Sequence, residues 1–177
     1  MKLAICGTDL FFAFQIGMAW FFAIPQVIRM TESVQGVTIN WLLCAELFIV
    51  LNLWLAIGTH KKVKSRATLQ TLLIYSNWVL LLTPMVAMTF FKCRWTQEDS
   101  LVAGLVAVSV VALLAWAKAQ ARPITDPTVR GMLVGLFRVV PHLYLTYCIV
   151  QAGGSKGIAA KTVVAANITA SARIITL

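Results

Sequence analysis

Long apolar runs separated by short polar connections dominate this sequence. About 20 consecutive apolar residues are needed for a helix to cross the roughly 30 Å hydrocarbon core of a bilayer. Runs of about that length occur at residues 9–29, 37–58, 68–91, 100–119, 129–151 and 158–177. The pattern therefore predicts an all-α integral membrane protein with six spans. The first run follows Lys2 closely and contains Asp9 and Gln15, which favours a mature helix over a cleaved signal peptide.

Composition supports the membrane class. Hydrophobic residues make up 60% of the chain, charged residues only 12%, and the mean hydropathy is +0.85, outside the range of soluble globular domains. The net charge of +9 requires no nucleic acid as a partner, because basic loops that meet anionic headgroups of membrane lipids explain it. The cysteines have no metal-ligand spacing and are expected to be packing residues: Cys6, Cys44, Cys93 and Cys148.

The connection between the first two runs is the most distinctive segment. Pro25 and Gln26 interrupt the first run about one turn before its end. Proline lacks a backbone N–H and clashes with the carbonyl one turn back, so we expect the helix to bend or loosen at Pro25. Gln26 then offers a side-chain amide beside the carbonyl that Pro25 leaves free.

This segment resembles the PQ-loop membrane proteins, which include SWEET and SemiSWEET sugar transporters, cystinosin-like amino-acid transporters and KDEL receptors. The resemblance rests on three motifs in order: Pro25-Gln26-Val27-Ile28-Arg29, Ser33-Val34-Gln35-Gly36-Val37-Thr38, and Leu53-Trp54-Leu55-Ala56-Ile57-Gly58. It implies two three-helix units that are related by an axis along the membrane normal and joined by a linker helix.

The second half repeats the first in weaker form. Val140-Pro141-His142-Leu143-Tyr144 corresponds to Ile24-Pro25-Gln26-Val27-Ile28, and Ser155-Lys156-Gly157-Ile158 echoes Gln35-Gly36-Val37. We divide the chain into a first unit at 1–95, a linker helix and basic loop at 96–127, and a second unit at 128–177. The SWEET-like plan has seven helices, so the final helix is expected to be missing. Either it lies outside this sequence, or a partner supplies its place, or the second unit works without it. We expect a homo-oligomer or a longer natural gene product, because Asn167, Ser171 and Arg173 otherwise lack the helix that would cover them.

The resemblance also implies residues that bind substrate. Trp54 lies where SemiSWEET-like units place the aromatic ring that stacks on a sugar, and Asn77 matches the asparagine that hydrogen-bonds the sugar. An aromatic face fits the apolar face of a sugar, while an amide offers donors and an acceptor to hydroxyl groups. The alternative for Trp54 is an anchor at the membrane interface, because it lies four residues from the helix end.

Glu46 lies near the middle of the second apolar run. A carboxylate at that depth should be protonated, paired or in a wet cavity. It either binds a proton or a cationic substrate, or forms a structural ion pair with Arg138 or Arg173. His142 either titrates during a transport cycle or is satisfied by a neighbouring carbonyl.

The basic residues give conflicting indications of orientation. The side of the N-terminus collects Lys2, Lys61, Lys62, Lys64, Arg66, Lys118, Arg122 and Arg130, and the other side collects Arg29, Lys92, Arg94, Lys156 and Lys161. The positive-inside rule thus favours a cytosolic N-terminus, whereas the resemblance implies the opposite. The orientation stays open.

Nothing in the sequence favours an enzyme, a metal site or a cofactor, and two functions remain. The first is a carrier that moves a small polar solute, a sugar or an amino acid, with Pro25, Gln26 and Pro141 as hinges. The second is a receptor or assembly factor that binds a peptide tail or a lipid-linked sugar. A carrier needs polar residues that converge at mid-membrane depth (Glu46, Asn77 and Asn167), whereas a receptor concentrates them at one mouth. We favour the carrier.

Overall fold

A computed structural model describes residues 7–158 of the chain. These residues form helices and no strands: α1 (Gly7–Glu32), α2 (Ile39–Lys62), α3 (Arg66–Lys92), α4 (Gln97–Ala119), α5 (Pro127–Val134) and α6 (Val140–Gln151), with a π-helical segment (Gly135–Val139) between α5 and α6. We call the continuous helix Pro127–Gln151 the fifth span.

Five of the six predicted spans are confirmed as helices. α1 to α4 and the fifth span are each long and apolar enough to cross a membrane, and their ends lie within a few residues of the predicted ones. Short connections make consecutive spans alternate in direction, as expected for a multi-pass membrane protein. The sixth predicted span, 158–177, lies outside the described residues except for its first residue, as do Asn167 and Arg173.

Polar side chains fix the points at which the helices begin. Thr38 precedes α2, Ser65 precedes α3 and Thr96 precedes α4, and each of these hydroxyl groups accepts a hydrogen bond from a backbone N–H of the first turn. Asp126 caps α5 in the same way with its carboxylate. Such caps satisfy backbone donors that have no partner within the helix.

α3 packs between α1 and α2, so the first three helices form one unit. α2 also contacts the fifth span, and α4 packs against both. The first unit has a buried apolar core made of Ala19, Ala23, Met30, Val37, Leu42, Leu81, Leu82 and Met85. A second core joins α4 to the fifth span through Leu113, Ala117, Val129 and Leu133.

The two predicted hinge prolines lie in different backbone settings. α1 continues as a helix through Pro25. In the fifth span, by contrast, the backbone changes to π geometry over Gly135–Val139, and Pro141 follows at the start of α6. The N–H of Val140 bonds to the carbonyl of Gly135, five residues back. The departure from α-helical geometry is therefore in the second half of the chain.

Candidate functional site

The connection between α1 and α2 lies directly against the segment that follows α6. The backbone N–H of Gly157 and the hydroxyl of Ser155 both donate to the carbonyl oxygen of Gln35, at 3.0 and 3.1 Å. The Gln35 amide donates in turn to the carbonyl of Ala152 at 3.2 Å. We call residues 33–37 and 152–158 together the loop clasp. It joins the two connections whose sequences resemble each other, residues 35–37 and residues 155–158.

Two glycines allow this close approach. A Cβ atom on Gly157 would lie 2.7 Å from Cγ2 of Val37 and 2.9 Å from the carbonyl oxygen of Ser33. Gly36 has a φ of +77°, which disfavours any other residue, and a Cβ there would lie 2.9 Å from the Cβ of Ser155. The loop clasp therefore depends on glycine at both positions.

Gln26 connects α1 to the loop clasp. Its side chain is only 2% exposed, and its amide nitrogen donates to the carbonyl oxygen of Gly157 at 2.7 Å. From the sequence, the Gln26 amide was expected to lie within α1, beside the carbonyl that Pro25 leaves free. The structure shows that the amide binds backbone of the other half of the chain.

A cleft of about 350 Å³ lies beside the loop clasp. We call it the interfacial cleft, and its lining residues are Arg29, Glu32, Ser33, Ser155, Lys156 and Ile158. Arg29 and Glu32 form a salt bridge of 3.3 Å along the last turn of α1, and both side chains are more than half exposed. The cleft thus combines charged groups from both halves of the chain.

His142 joins the fifth span to α2. Its Nδ1 lies 2.6 Å from the carbonyl oxygen of Arg138, and its Nε2 lies 3.2 Å from Nε1 of Trp41. A carbonyl can only accept and an indole nitrogen can only donate. The contacts therefore assign the proton to Nδ1 and make Nε2 the acceptor. Neighbouring groups satisfy both ring nitrogens of the neutral histidine.

Asn77 faces α1. Its Oδ1 accepts a hydrogen bond of 2.9 Å from the indole of Trp20, whereas its Nδ2 is buried without a hydrogen-bond partner among the described residues. A groove of about 580 Å³ adjoins it, lined by Phe12, Ala13, Ile16, Gly17, Leu73 and Asn77. An amide donor without a hydrogen-bond partner among the described residues thus lies beside an apolar groove, near the middle of α3.

The aromatic residue beside Asn77 is Trp20. Trp54 does not line this groove, and its side chain is 65% exposed on α2. Trp20 takes the neighbouring position instead. No local motif indicates Trp20, because its contact with Asn77 follows from the parallel packing of α1 against α3.

Glu46 lies between α2 and α3. Its Oε1 accepts a hydrogen bond of 2.8 Å from the hydroxyl of Thr83, and its Oε2 is buried without a hydrogen-bond partner among the described residues. The salt bridges within residues 7–158 are Arg29–Glu32, Arg66–Asp9 and Arg122–Asp126. The expected ion pair of Glu46 with Arg138 is not among them.

The geometry of α2 explains this difference. The α2 face toward the fifth span carries Trp41, Phe48 and Asn52, which contact His142, Phe137 and Arg130, respectively. Glu46 lies on another face of the same helix, toward Thr83 of α3. Glu46 therefore lies away from the α2 face that meets the fifth span, and the other partner expected for it, Arg173, lies outside the described residues.

The polar residues expected at mid-membrane depth do not converge among the described residues. Glu46 contacts Thr83 between α2 and α3, and Asn77 contacts Trp20 between α1 and α3. Most buried polar side chains lie instead near the helix ends on the side where α1 ends: Gln26, Thr38, Asn40, Thr89 and Asp99. Asn40, for example, donates to both the carbonyl and the carboxylate of Asp99.

Within residues 7–158, no group of three or more His, Cys, Asp or Glu side chains is arranged to hold a metal ion. Comparison with known proteins identifies no relative: no protein-family profile, no curated protein and no solved structure matches the chain.

Proposed function

We propose that the protein is a PQ-loop-type membrane carrier that moves a small polar solute, a sugar or an amino acid, by alternating access. The observation that carries the proposal is the break in helix geometry at Gly135–Val139, followed by Pro141, in a span that packs against α2. Single-turn π segments are frequent at functional sites, and transporters form their solute sites from interrupted helices.

The first unit is suited to move as one body. α1 and α3 are connected at three depths: Arg66 donates to Asp9 at 2.6 Å, Trp20 donates to Asn77 at 2.9 Å, and Lys92 donates to the carbonyl of Met30 at 2.9 Å. The main motion in this proposal is therefore between the first unit and the fifth span, and a smaller bend of α1 at Pro25 accompanies it.

Contacts between α2 and the fifth span combine apolar packing, such as that of Phe48 with Phe137, and two side-chain hydrogen bonds. Trp41 donates to His142, and Arg130 donates to Asn52 at 3.0 Å. Single hydrogen bonds of this kind contribute only about 0.5–1.5 kcal/mol each, so they can break and re-form during a cycle. Pro141 at the end of the π segment is the main hinge, and Pro25 with Gln26 is the second one.

A second candidate function is a receptor or assembly factor. The concentration of buried polar side chains on the side where α1 ends favours it, and so does the interfacial cleft on that side. A peptide tail or a lipid-linked sugar that bound there would not have to cross the membrane.

Uptake into proteoliposomes separates the two functions. The purified chain is reconstituted, and entry of a labelled panel of sugars and amino acids is followed with and without a pH gradient, against protein-free liposomes. A carrier produces saturable entry of one solute class above the protein-free level. Binding of a panel member without entry would instead support the receptor.

A further inference from the structure

We infer that the interfacial cleft binds the phosphate of an anionic phospholipid, with the headgroup held between the two halves of the chain. Arg29 comes from the last turn of α1 and Lys156 from the segment after α6, so the cleft brings together two cations that are 127 positions apart in sequence. The hydroxyl-bearing residues Ser33 and Ser155 also line it. Guanidinium, ammonium and hydroxyl donors are the groups that recognise phosphate oxygens.

The cationic donors of the cleft, Arg29 and Lys156, are largely uncommitted among the described residues, whereas the Ser155 hydroxyl donates to the carbonyl of Gln35. Arg29 has five N–H donors in a planar fork, and its contact with Glu32 uses one nitrogen at the long distance of 3.3 Å. Lys156 is exposed. Lys92, the other cation near the end of α1, is occupied because its ammonium donates to the carbonyls of Met30 and Thr31.

Glu32 opposes an anion but does not exclude it. With Arg29 and Lys156 the cleft carries two positive charges against one negative charge, so its net charge of +1 complements a phosphodiester. Replacing the Glu32 carboxylate with an amide should therefore tighten the binding of an anion. If Arg29 and Glu32 formed only a structural salt bridge, replacing Glu32 would not strengthen anion binding.

An apolar surface leading to the cleft indicates a lipid and not a free phosphate. Phe21, Ile24 and Ile28 are 56%, 50% and 54% exposed on α1, and their spacing of three and four residues places them on one helix face. That face leads along α1 toward Glu32, which lies four residues after Ile28 and lines the cleft. An acyl chain lying on this face would place its phosphate at Arg29 and Lys156.

Native mass spectrometry of the full chain in detergent tests the inference with two short-chain lipids that differ in headgroup charge. We expect phosphatidylglycerol to remain bound and phosphatidylcholine of the same chain length to dissociate. Arg29→Gln and Lys156→Gln should each weaken phosphatidylglycerol binding by about tenfold, the effect of losing one charge-assisted hydrogen bond. Glu32→Gln should strengthen it, and Arg29→Lys should restore part of the binding that Arg29→Gln loses.

Lys64→Gln is the matched control, because Lys64 is an exposed cation on the opposite side of the membrane. An equal loss of binding in this variant would overturn the inference, since binding would then follow net charge alone. Inorganic phosphate is the second arm: if it displaces the lipid and binds alone with similar affinity, the ligand is a free anion and the lipid assignment is wrong. Should Arg29→Gln fail to fold, Lys156→Gln decides the outcome. The test does not depend on transport.

Discussion

The backbone N–H of Gly157 donates to the carbonyl oxygen of Gln35 at 3.0 Å, and this contact joins the two halves of the chain outside their helices. The same carbonyl accepts the hydroxyl of Ser155, and the carbonyl of Gly157 accepts the amide of Gln26. One residue of the second half is thus bonded to both the α1–α2 connection and α1 itself.

Gly157→Ala should therefore destabilise the protein. The added methyl group meets a side-chain atom at 2.7 Å and backbone at 2.9 Å, and backbone cannot move away cheaply. Overpacking of this kind costs about 1–3 kcal/mol, which lowers the midpoint of thermal unfolding in detergent. Gly104→Ala in α4 is the control, because nothing lies within 4 Å of its Cβ position. Equal midpoints for the two variants would show that the loop clasp contributes no stability.

Gln26→Met tests the buried hydrogen bond from α1. Methionine keeps most of the side-chain volume but leaves the buried carbonyl of Gly157 without this donor, at a cost of about 1–3 kcal/mol. Gln35→Met removes a bond of 3.2 Å to Ala152 that lies at the surface, so its effect on the unfolding midpoint should be clearly smaller. If Gln35→Met lowered the unfolding midpoint more than Gln26→Met, the Gln35 amide would contribute more stability than the Gln26 amide, contrary to this prediction.

Apolar patterning predicted the helices well and the contacts between them poorly. Runs of about 20 apolar residues have few alternatives to a membrane helix, so the spans were readable from the sequence. The motif correspondence between residues 35–37 and 155–158 was also readable. That these segments touch was not, because the contact depends on where α6 ends relative to α1.

The side chains between helices show the same limit. A membrane helix is apolar on all sides, so its sequence does not indicate which face meets which neighbour. Arg138 and Arg173 were therefore the partners considered for Glu46, which meets Thr83. Asn77 was expected to bind solute, and nothing in the sequence indicated that it meets Trp20. In both cases the partner is set by which helices are adjacent.

Pro25→Ala tests the hinge in α1. Alanine restores a backbone donor, and in a helix interior it is favoured over proline by up to about 3 kcal/mol, so the variant should fold at least as well as the parent. If α1 bends during the cycle, the initial rate of solute uptake into proteoliposomes should fall. Pro84→Ala makes the same exchange within α3, where Pro84 is exposed, and should leave the uptake rate unchanged. A parental rate in the Pro25 variant would reduce this proline to a folding residue.

Asp126 should make stability depend on acidity. Loss of hydration raises the pKa of its carboxyl group, but the N–H groups of Val129 and Thr128 and the Arg122 guanidinium together outweigh this and hold the pKa below its usual range. A carboxyl whose pKa is lower in the folded state stabilises the fold above its unfolded pKa, about 3.9 for aspartate, and loses that contribution as the pH falls through the folded value. Asp126→Asn keeps a capping side chain without the charge. Its unfolding midpoint should therefore fall less than that of the parent between about pH 5 and about pH 2.

Double-mutant cycles test whether Glu46 interacts with Thr83 or with Arg138. The hydroxyl of Thr83 donates to the Glu46 carboxylate at 2.8 Å, so Glu46→Ala and Thr83→Ala, which each remove this bond, should show a coupling of about 0.5–3 kcal/mol in a double-mutant cycle of unfolding free energies. Glu46→Gln and Arg138→Gln should instead be additive within about 0.5 kcal/mol. Strong coupling to Arg138 would restore the ion pair that the sequence indicated.

Transport measurements on Glu46→Gln then separate the classes of solute carrier. A buried carboxylate oxygen without a hydrogen-bond partner among the described residues is a site at which a proton can bind and leave during each cycle, as in proton-coupled carriers. Glutamine keeps the shape and an acceptor for Thr83 but cannot carry the proton. The variant should still exchange solute between equal concentrations and lose the accumulation driven by a pH gradient. If that accumulation stays at the parental level, proton coupling through Glu46 is wrong, and a facilitative sugar carrier becomes the better hypothesis.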